Sequence, residues 1–526
     1  MSIYQWFIFF LGVQLIHYLG TWRLYEKAGR KAWEAAIPVY NSIVLMKIIN
    51  RPTWWTILLF LPVINLLMFP IVWVETLRSF GRRSTLDTIL GVVTLGFYIY
   101  YINYTQNVQH IADRSLKPSN ATADTVGSLL FAVIVATFVH TYFIQPFVIP
   151  SSSLEKSLLI GDFLFVSKQN YGARTPMTAV AAPMVHDTIP FIKTKSYLSW
   201  PQLPYFRFPG FEKIKNNDIV VFNWPRDTLF HMYLPADKRY DKPIDKKTNY
   251  VKRCVGIPGD SLQIKDGIVF INGKELILPE RAKPQYSYKI TIDPKSTTDF
   301  ARVFKDLNIT DGFGYETDQK DSLTIRALTF ENAEKLKTVS GITSIKRTIR
   351  KGRENGIFPS KHHDGADENK FAWSGDNYGP IYIPQAGKTV ALTKESLPFY
   401  KIIINEYEGN KLKVVGNDIY INDKIATTYT FKQNYYWMMG DNRHNSLDAR
   451  YFGYTPEDHI VGKPIFIWMS IDSNGEGIMN KIRWERLFTT VSGEGQPQSY
   501  FKWFLGLLAL YFVGDYFWKK RKADKK

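Results

Sequence analysis

Residues 125–144 form a run of twenty residues without a single Asp, Glu, Lys or Arg. About twenty apolar residues are what an α-helix needs to cross the hydrocarbon core of a bilayer. A segment in lipid must satisfy its own backbone polar groups, so this run has to be a helix. The chain beyond it is different in kind: residues 148–495 read as a soluble domain, large enough for a sizeable core. The chain is therefore pinned to a membrane at the point where its soluble part begins. Its 45% hydrophobic content averages two unlike halves. Further apolar runs occupy residues 3–20, 54–74, 88–104 and 503–518. The run 54–74 is interrupted by Pro62, Asn65 and Pro70, and 503–518 contains Asp515 but has aromatic ends suited to an interface. Residues 3–20 lack a basic leader and a small-residue cleavage site, so they read as a retained span.

The formal charge of +18 raises the possibility of a nucleic-acid partner. No nucleic-acid motif accompanies it, and the densest basic run, 519–526, directly succeeds the apolar run 503–518. That arrangement fits a cytoplasmic stop-transfer anchor, and no nucleic acid is expected. Arg23, Lys27, Arg30 and Lys31 cluster after the first span and also belong in the cytoplasm, which puts the soluble domain outside. Five spans are preferred. They leave Arg78, Arg82 and Arg83 outside, against the positive-inside rule, unless 88–104 does not cross and 32–50 does. The lone cysteine, Cys254, excludes an intrachain disulfide.

Directly after the clearest span stands Ile149-Pro150-Ser151-Ser152-Ser153-Leu154. A serine hydroxyl needs a base before it can attack. None of the nine histidines sits in a recognisable triad motif, and no Gly-x-Ser-x-Gly elbow occurs. A lysine can serve when desolvation keeps it neutral. Lys252 suits this, lying between Tyr250-Val251 and the apolar Cys254-Val255-Gly256-Ile257. Taken alone, Ser153 is as well explained as a helix cap or turn, and Lys252 as a solvated strand residue. A rival base is Lys156, because Ser153-Leu154-Glu155-Lys156 is a Ser-x-x-Lys string like that of penicillin-binding enzymes. The companion elements of that family are missing: Lys388-Thr389-Val390 lacks the glycine, and Ser374-Gly375-Asp376-Asn377 has an extra residue and reads as a turn. His362-His363-Asp364 reads as a polar loop. No metal and no cofactor are expected.

Four stretches carry a family resemblance. They are Pro150 to Asp162; Asn217-Asp218-Ile219-Val220-Val221-Phe222; Lys252-Arg253 with Gly256, Pro258, Gly259 and Asp260; and Gly440-Asp441-Asn442-Arg443-His444-Asn445-Ser446-Leu447-Asp448-Ala449-Arg450. In order and spacing they resemble the bacterial type I signal peptidases, serine endopeptidases with a Ser/Lys dyad. The resemblance implies Ser153 as nucleophile and Lys252 as general base. It implies Ser151, with the Ser153 N–H, as the oxyanion hole, Ser446 as the residue orienting the lysine, and Asp448 and Arg450 as a structural brace. It further implies exported preproteins as substrates, with small residues at positions −1 and −3, and shallow pockets lined by Ile149, Leu154, Leu158 and Val251. The setting it implies is the bacterial inner membrane, with the lipid bilayer as partner and the catalytic domain on the periplasmic side. Leu154 replaces the family's usual methionine, Lys156-Ser157 its Pro-Thr, and His444 a common aspartate, here read as a loop residue.

The expected fold is a multi-span α-helical membrane region plus a mainly-β signal-peptidase-type catalytic domain with an enlarged inserted cap. The expected boundaries are 1–124 for the membrane region, 125–147 for the helix before the catalytic domain, 148–495 for that domain with 263–435 as cap, and 500–526 for a C-terminal anchor. Residues 174–215 read as a further insertion. Short strands are expected at 219–222, 262–264, 268–271, 381–383, 402–404 and 419–421. Hairpin turns are expected at Asn272-Gly273 and Asn422-Asp423, in two weakly similar segments read as paired hairpins, and a helix at 331–339. The alternative to an enzyme is a membrane-anchored assembly protein on a degenerate protease domain. The intact Ser151, Ser153, Lys252 and Ser446 argue against it.

Overall fold

The computed structural model describes residues 1–118, 120–230, 238–316, 319–359 and 371–523. By its internal contacts the chain forms two compact units. One comprises Met1–Phe143, Ala173–Phe208 and Tyr240–Lys247; the other comprises Ile144–Gly172, Pro209–Arg239 and Thr248–Lys526.

The first unit is helical: α1 (Ile3–Lys27), α2 (Tyr40–Ile48), α3 (Trp55–Leu58), α4 (Ile64–Ser79), α5 (Thr85–Val93), α6 (Tyr98–Thr105) and α7 (Ala121–Tyr142). Ser2 caps α1 in a reciprocal box with Gln5, and Asn120 caps α7. Among the described residues only α1 and α7 are long and apolar enough to cross a membrane singly; α5 and α6 would qualify as one broken segment, but they meet at a bend of 116°. Of the five expected spans, 54–74 and 88–104 therefore change, as does the alternative 32–50. The C-terminal helix Phe501–Ala523, although 23 residues long, is not apolar enough to qualify either. The run 54–74 is cut between α3 and α4, because Pro62 cannot extend a helix and Val63 takes a left-handed φ of 69°. The run 88–104 is folded back at Leu95 and Gly96, both left-handed. The stretch 32–50 yields a 3₁₀ turn and the nine-residue α2, too short to span. Among the charged groups of this unit, Glu75 is buried and accepts hydrogen bonds from Arg114 and, at 2.9 Å, from Arg51. Arg114 also bonds the Ser79 hydroxyl and the Ile49 carbonyl, so this buried cluster is well satisfied.

Residues 174–207 join this unit as one long irregular hairpin. Its two limbs meet at Arg174 and Arg207, Thr178 and Gln202, Ala181 and Tyr197, and Thr188 and Lys195. Asp245 anchors it by accepting the Met177 and Thr178 N–H groups and the Thr178 hydroxyl.

The second unit is mainly β. Its central sheet is antiparallel and contains β1 (Ile144–Val148), β2 (Asp162–Ser167), β3 (Ile219–Asn223), β4 (Asn249–Gly256), β5 (Tyr435–Met439), β6 (Thr455–Pro456), β7 (Ile460–Ser470) and β8 (Thr489–Thr490). The order is β1-β2-β7-β3-β4-β5-β6, with β8 also on β7. Alternation along β3 sends side chains to two cores. Ile219 and Val221 join a small cluster with Ile149, Leu154, Leu158 and Leu164. Val220 and Phe222 join the large cluster around Trp437.

Within the stretch 263–435, strands Gln285–Ile292, Phe313–Glu316, Gln319–Thr329 and Ile342–Arg347 form a separate four-stranded sheet, packed on helices Phe300–Asp306 and Phe330–Lys337 around a core of their own. Residues 378–431 return to the large core instead. Both expected turns are present, with positive φ at Asn272 and Gly273 and at Asn422 and Asp423. Their hairpins lie in different sheets and do not pair with each other. The expected strand 402–404 is helical, spanning the end of Leu397–Ile402 and the start of Ile403–Tyr407. Leu397, Tyr400, Ile403 and Ile404 are buried at helical spacing, which outweighs the β-branched run Ile402-Ile403-Ile404. Residues Phe501–Ala523 form a single exposed helix in which Lys519 pairs with Asp515 at 2.7 Å. The expected combination of apolar membrane helices with a mainly-β domain is what the chain forms.

Candidate active site

The serine loop is closed at its base. The Ile149 N–H donates to the Asp162 carbonyl, and the Gly161 N–H donates to the Ile149 carbonyl, each at 2.9 Å. Gly161 has φ of 86°, and a Cβ there would stand 2.0 Å from the Ile471 carbonyl oxygen, so no other residue fits. Buried Leu154 and Leu158 anchor the loop in the small core. Between them and β1, a 3₁₀ turn at Ser152–Leu154 presents Ser153, itself only 7% exposed.

Lys252 comes from β4, opposite Val220 of β3. It is 4% exposed, and its Nζ lies 2.6 Å from the Ser153 Oγ. Burial lowers its pKa from 10.5 to about 8, although the charges of Asp448 and Asp441 act in the opposite direction. An amine so placed is neutral in about a tenth of molecules at pH 7, far more than an unperturbed lysine.

The third element comes after β5, which pairs with β4. At Gly440 the chain passes so close to the serine loop that a Cβ would lie 2.6 Å from the Ser153 carbonyl oxygen and 2.2 Å from the Ser446 Oγ. The Asn442 N–H donates to the Ser153 carbonyl at 3.1 Å, and the Asn445 amide donates to the Ser152 Oγ at 3.1 Å. Two buried ion pairs brace this loop. Arg253 grips Asp441 through Nε at 2.8 Å and Nη2 at 2.6 Å; Arg450 grips Asp448 through Nε at 2.9 Å and Nη2 at 2.8 Å. Asp448 also accepts the Gly440 N–H. Burial alone would raise both carboxyls, but Arg253 and Arg450 hold them below the usual carboxylate range.

Of the expected residues, Ser153 and Lys252 meet, and Asp448 and Arg450 pair. Ser151 is exposed at the start of the 3₁₀ turn. The Ser446 Oγ packs against Gly440 and has no hydrogen-bond partner among the described residues, Lys252 included. Ile149, Leu154, Leu158 and Val251 fall in one apolar cluster, where the first three are core side chains and Val251 keeps partial exposure. Lys156 is turned away: its φ of 71° ends the turn, and its Nζ bonds the Asn308 carbonyl. A Ser-x-x-Lys dyad needs serine and lysine on one helical turn, which Glu155 (ψ 145°) and Lys156 do not continue. His362, His363 and Asp364 lie outside the described residues.

The sequence alone assigns no role to Gly440, Asp441 or Asn442, although all three stand inside the quoted final stretch. It assigns none to Asp376 either. The His444 Nε2 lies 2.9 Å and 3.0 Å from the two Asp376 oxygens, while the Ser287 N–H donates to its Nδ1. An acceptor at Nδ1 makes Nε2–H the donor, so the ring is the neutral Nε2–H tautomer. Arg450 donates to the Gly375 carbonyl at 3.2 Å, completing the tie. The two features that read as a plain turn and a loop histidine are one contact.

A sequence model of the signal peptidase family, peptidase S26, matches residues 122–330 and 403–469, more than half of the chain. Residues 331–402 fall outside that match, as an inserted region would. A family of unknown function, DUF5684, matches residues 33–113. The chain is 25% identical over 355 residues to signal peptidase I of Buchnera aphidicola subsp. Baizongia pistaciae, covering 67% of this chain and 78% of that protein. It is 22% identical over 388 residues to signal peptidase I of Haemophilus influenzae, covering 72% and 78%. With signal peptidase I of Rickettsia massiliae it shares 26% identity over 165 residues, covering 31% and 48%. The match across both halves of the catalytic unit, over the loops that bring serine, lysine and the final stretch together, makes this chain a member of the signal peptidase family, peptidase S26.

Proposed function

We propose that this membrane-anchored peptidase removes signal peptides from exported preproteins with a Ser153/Lys252 dyad. The observation that carries the reading is a buried lysine, its pKa lowered to about 8, 2.6 Å from a serine hydroxyl. Neutral Lys252 accepts the Ser153 proton as Oγ attacks the scissile carbonyl. The Ser153 N–H and the Ser151 hydroxyl hold the oxyanion. Lys252 returns the proton to the leaving amine, and water releases the acyl-enzyme. Ser446, whose hydroxyl packs against Gly440 beside the Ser153 carbonyl, is assigned the orienting role that the family resemblance gives it. Val251 and the small core beneath it favour small apolar side chains before the cut. A non-catalytic scaffold would have no need of a desolvated lysine, which costs stability when protonated.

The same reading sets the topology. Arg23, Lys27, Arg30 and Lys31 put the C-terminal end of α1 in the cytoplasm. At the other end, the Trp6 indole donates to the Gln202 carbonyl at 2.9 Å, and Gln202 lies in the insertion 174–207, between the serine stretch and Lys252 in the chain. Two unrelated observations thus support one orientation, with the catalytic domain outside the cytoplasmic membrane. With α1 and α7 as the crossing helices, Arg78, Arg82 and Arg83 fall inside, and the conflict of the five-span count disappears.

The test is cleavage of a preprotein bearing an Ala-x-Ala site by the detergent-purified full chain. Ser153→Ala and Lys252→Ala should each lose on the order of 10³-fold or more in kcat, while Lys156→Ala keeps cutting. Loss in Lys156→Ala with retention in Lys252→Ala would identify the wrong base.

A further inference from the structure

The hairpin 174–207 exposes apolar side chains along its length. Phe191 at the tip is fully exposed (102%), with Ile192 at 67%, Leu198 at 57%, Trp200 at 70% and Met184 at 56%. Phe191 also holds a left-handed φ of 69°, an uncommon backbone state for a bulky residue. Monomeric soluble surfaces seldom carry so much contiguous apolar area without a partner. Lys193 and Lys195 stand between these apolar positions, and Arg174 and Arg207 stand at the base of the hairpin, against the single acid Asp187, which Lys195 engages at 2.8 Å.

The structure also says which partner. On the returning limb the Gln202 carbonyl accepts a hydrogen bond from the Trp6 indole N–H, in the first turns of α1. Because α1 is a membrane-crossing helix, its Trp6 end lies at one face of the bilayer, and the backbone around Gln202 lies at that face with it. Trp200, two residues away, is then an exposed indole at headgroup level, where tryptophan is enriched. Apolar and aromatic side chains interleaved with lysine and arginine are the chemistry of an interfacial element.

We propose that hairpin 174–207 is a second, non-spanning membrane contact, lying along the bilayer face at the Trp6 end of α1 and engaging anionic lipid headgroups. The inference rests on α1 crossing the membrane and not on the peptidase chemistry.

The experiment places single spin-labelled cysteines at Phe191, Trp200 and Met184 in the full chain carrying Cys254→Ala, reconstituted in phosphatidylcholine vesicles with increasing phosphatidylglycerol. A label at exposed Lys413 serves as the aqueous control. The expected result is that labels on the hairpin collide more with oxygen than with a nickel chelate, that Lys413 shows the reverse, and that the hairpin ratio rises with phosphatidylglycerol. Replacing Lys193, Lys195 and Arg207 by Gln should abolish that rise. Nickel-accessible labels at all three hairpin positions, with the control and thermal unfolding normal, would overturn the proposal and assign the surface to a protein partner. A ratio indifferent to phosphatidylglycerol would overturn its headgroup part. Collision readings do not depend on cleavage, so failure of the dyad and failure of the hairpin contact are separable.

Discussion

In the proposed dyad, Lys252 sets the operating range of the site. The base acts in its neutral form, and its neutral fraction grows as pH rises through about 8. The kcat/KM for a soluble peptide substrate should therefore climb about tenfold per pH unit on the acid side of pH 8 and level off above it. A limb centred near the ordinary histidine value of about 6.5 that vanished in His444→Asn would instead assign the base to histidine. The candidate residues of this site were legible through four short stretches that resemble the signal peptidases; taken singly, Ser153 and Lys252 have ordinary structural readings. What was not legible is how those groups are held. Asp441 and Asn442 act through partners in the chain far away, Arg253 and the Ser153 carbonyl, and nothing local in Gly440-Asp441-Asn442 names those partners.

At the scale of elements, the turn at 374–377 holds the loop between β5 and Arg450 in place through His444 and the Gly375 carbonyl. Asp376→Ala and His444→Ala should lower kcat by on the order of tenfold to a hundredfold while KM stays within about twofold, because the catalytic groups are misplaced and not removed. The acid limb should stay at about pH 8 in both variants, since Lys252 keeps its own burial. A changed limb would mean that the turn acts on the lysine directly. Turns and hairpins were legible here from Asn-Gly and Asn-Asp pairs, and the helix expected at 331–339 forms as Phe330–Lys337, where Thr329 caps it. Residues 402–404 were not, because a short β-branched run is ambiguous and the deciding partners, Leu397 and Tyr400, stand outside it. The apolar runs 54–74 and 88–104 misled for a related reason: hydropathy counts composition, while Pro62 and the left-handed residues Val63, Leu95 and Gly96 decide where a helix stops.

At the scale of the molecule, the proposed topology, with α1 and α7 crossing and the amino end outside, makes a direct prediction. A cysteine at Ser2 should react with a membrane-impermeant maleimide added to intact spheroplasts, whereas cysteines at Arg83 and Lys117 should react only after lysis. Labelling of both Ser2 and Arg83 from outside would restore an even number of crossings before Arg83, as in the five-span count. The division of the chain has a further consequence, for biosynthesis. The helical unit does not consist of the first 143 residues alone; it is completed by Ala173–Phe208 and Tyr240–Lys247. A ribosome adding about 5–20 residues per second needs on the order of 5 to 20 s to travel from Phe143 to Lys247. During that interval the amino-terminal helices are already made, yet the hairpin that bonds Trp6 and the Asp245 that anchors the hairpin are still missing. The membrane region is therefore completed only after much of the chain behind it has been translated.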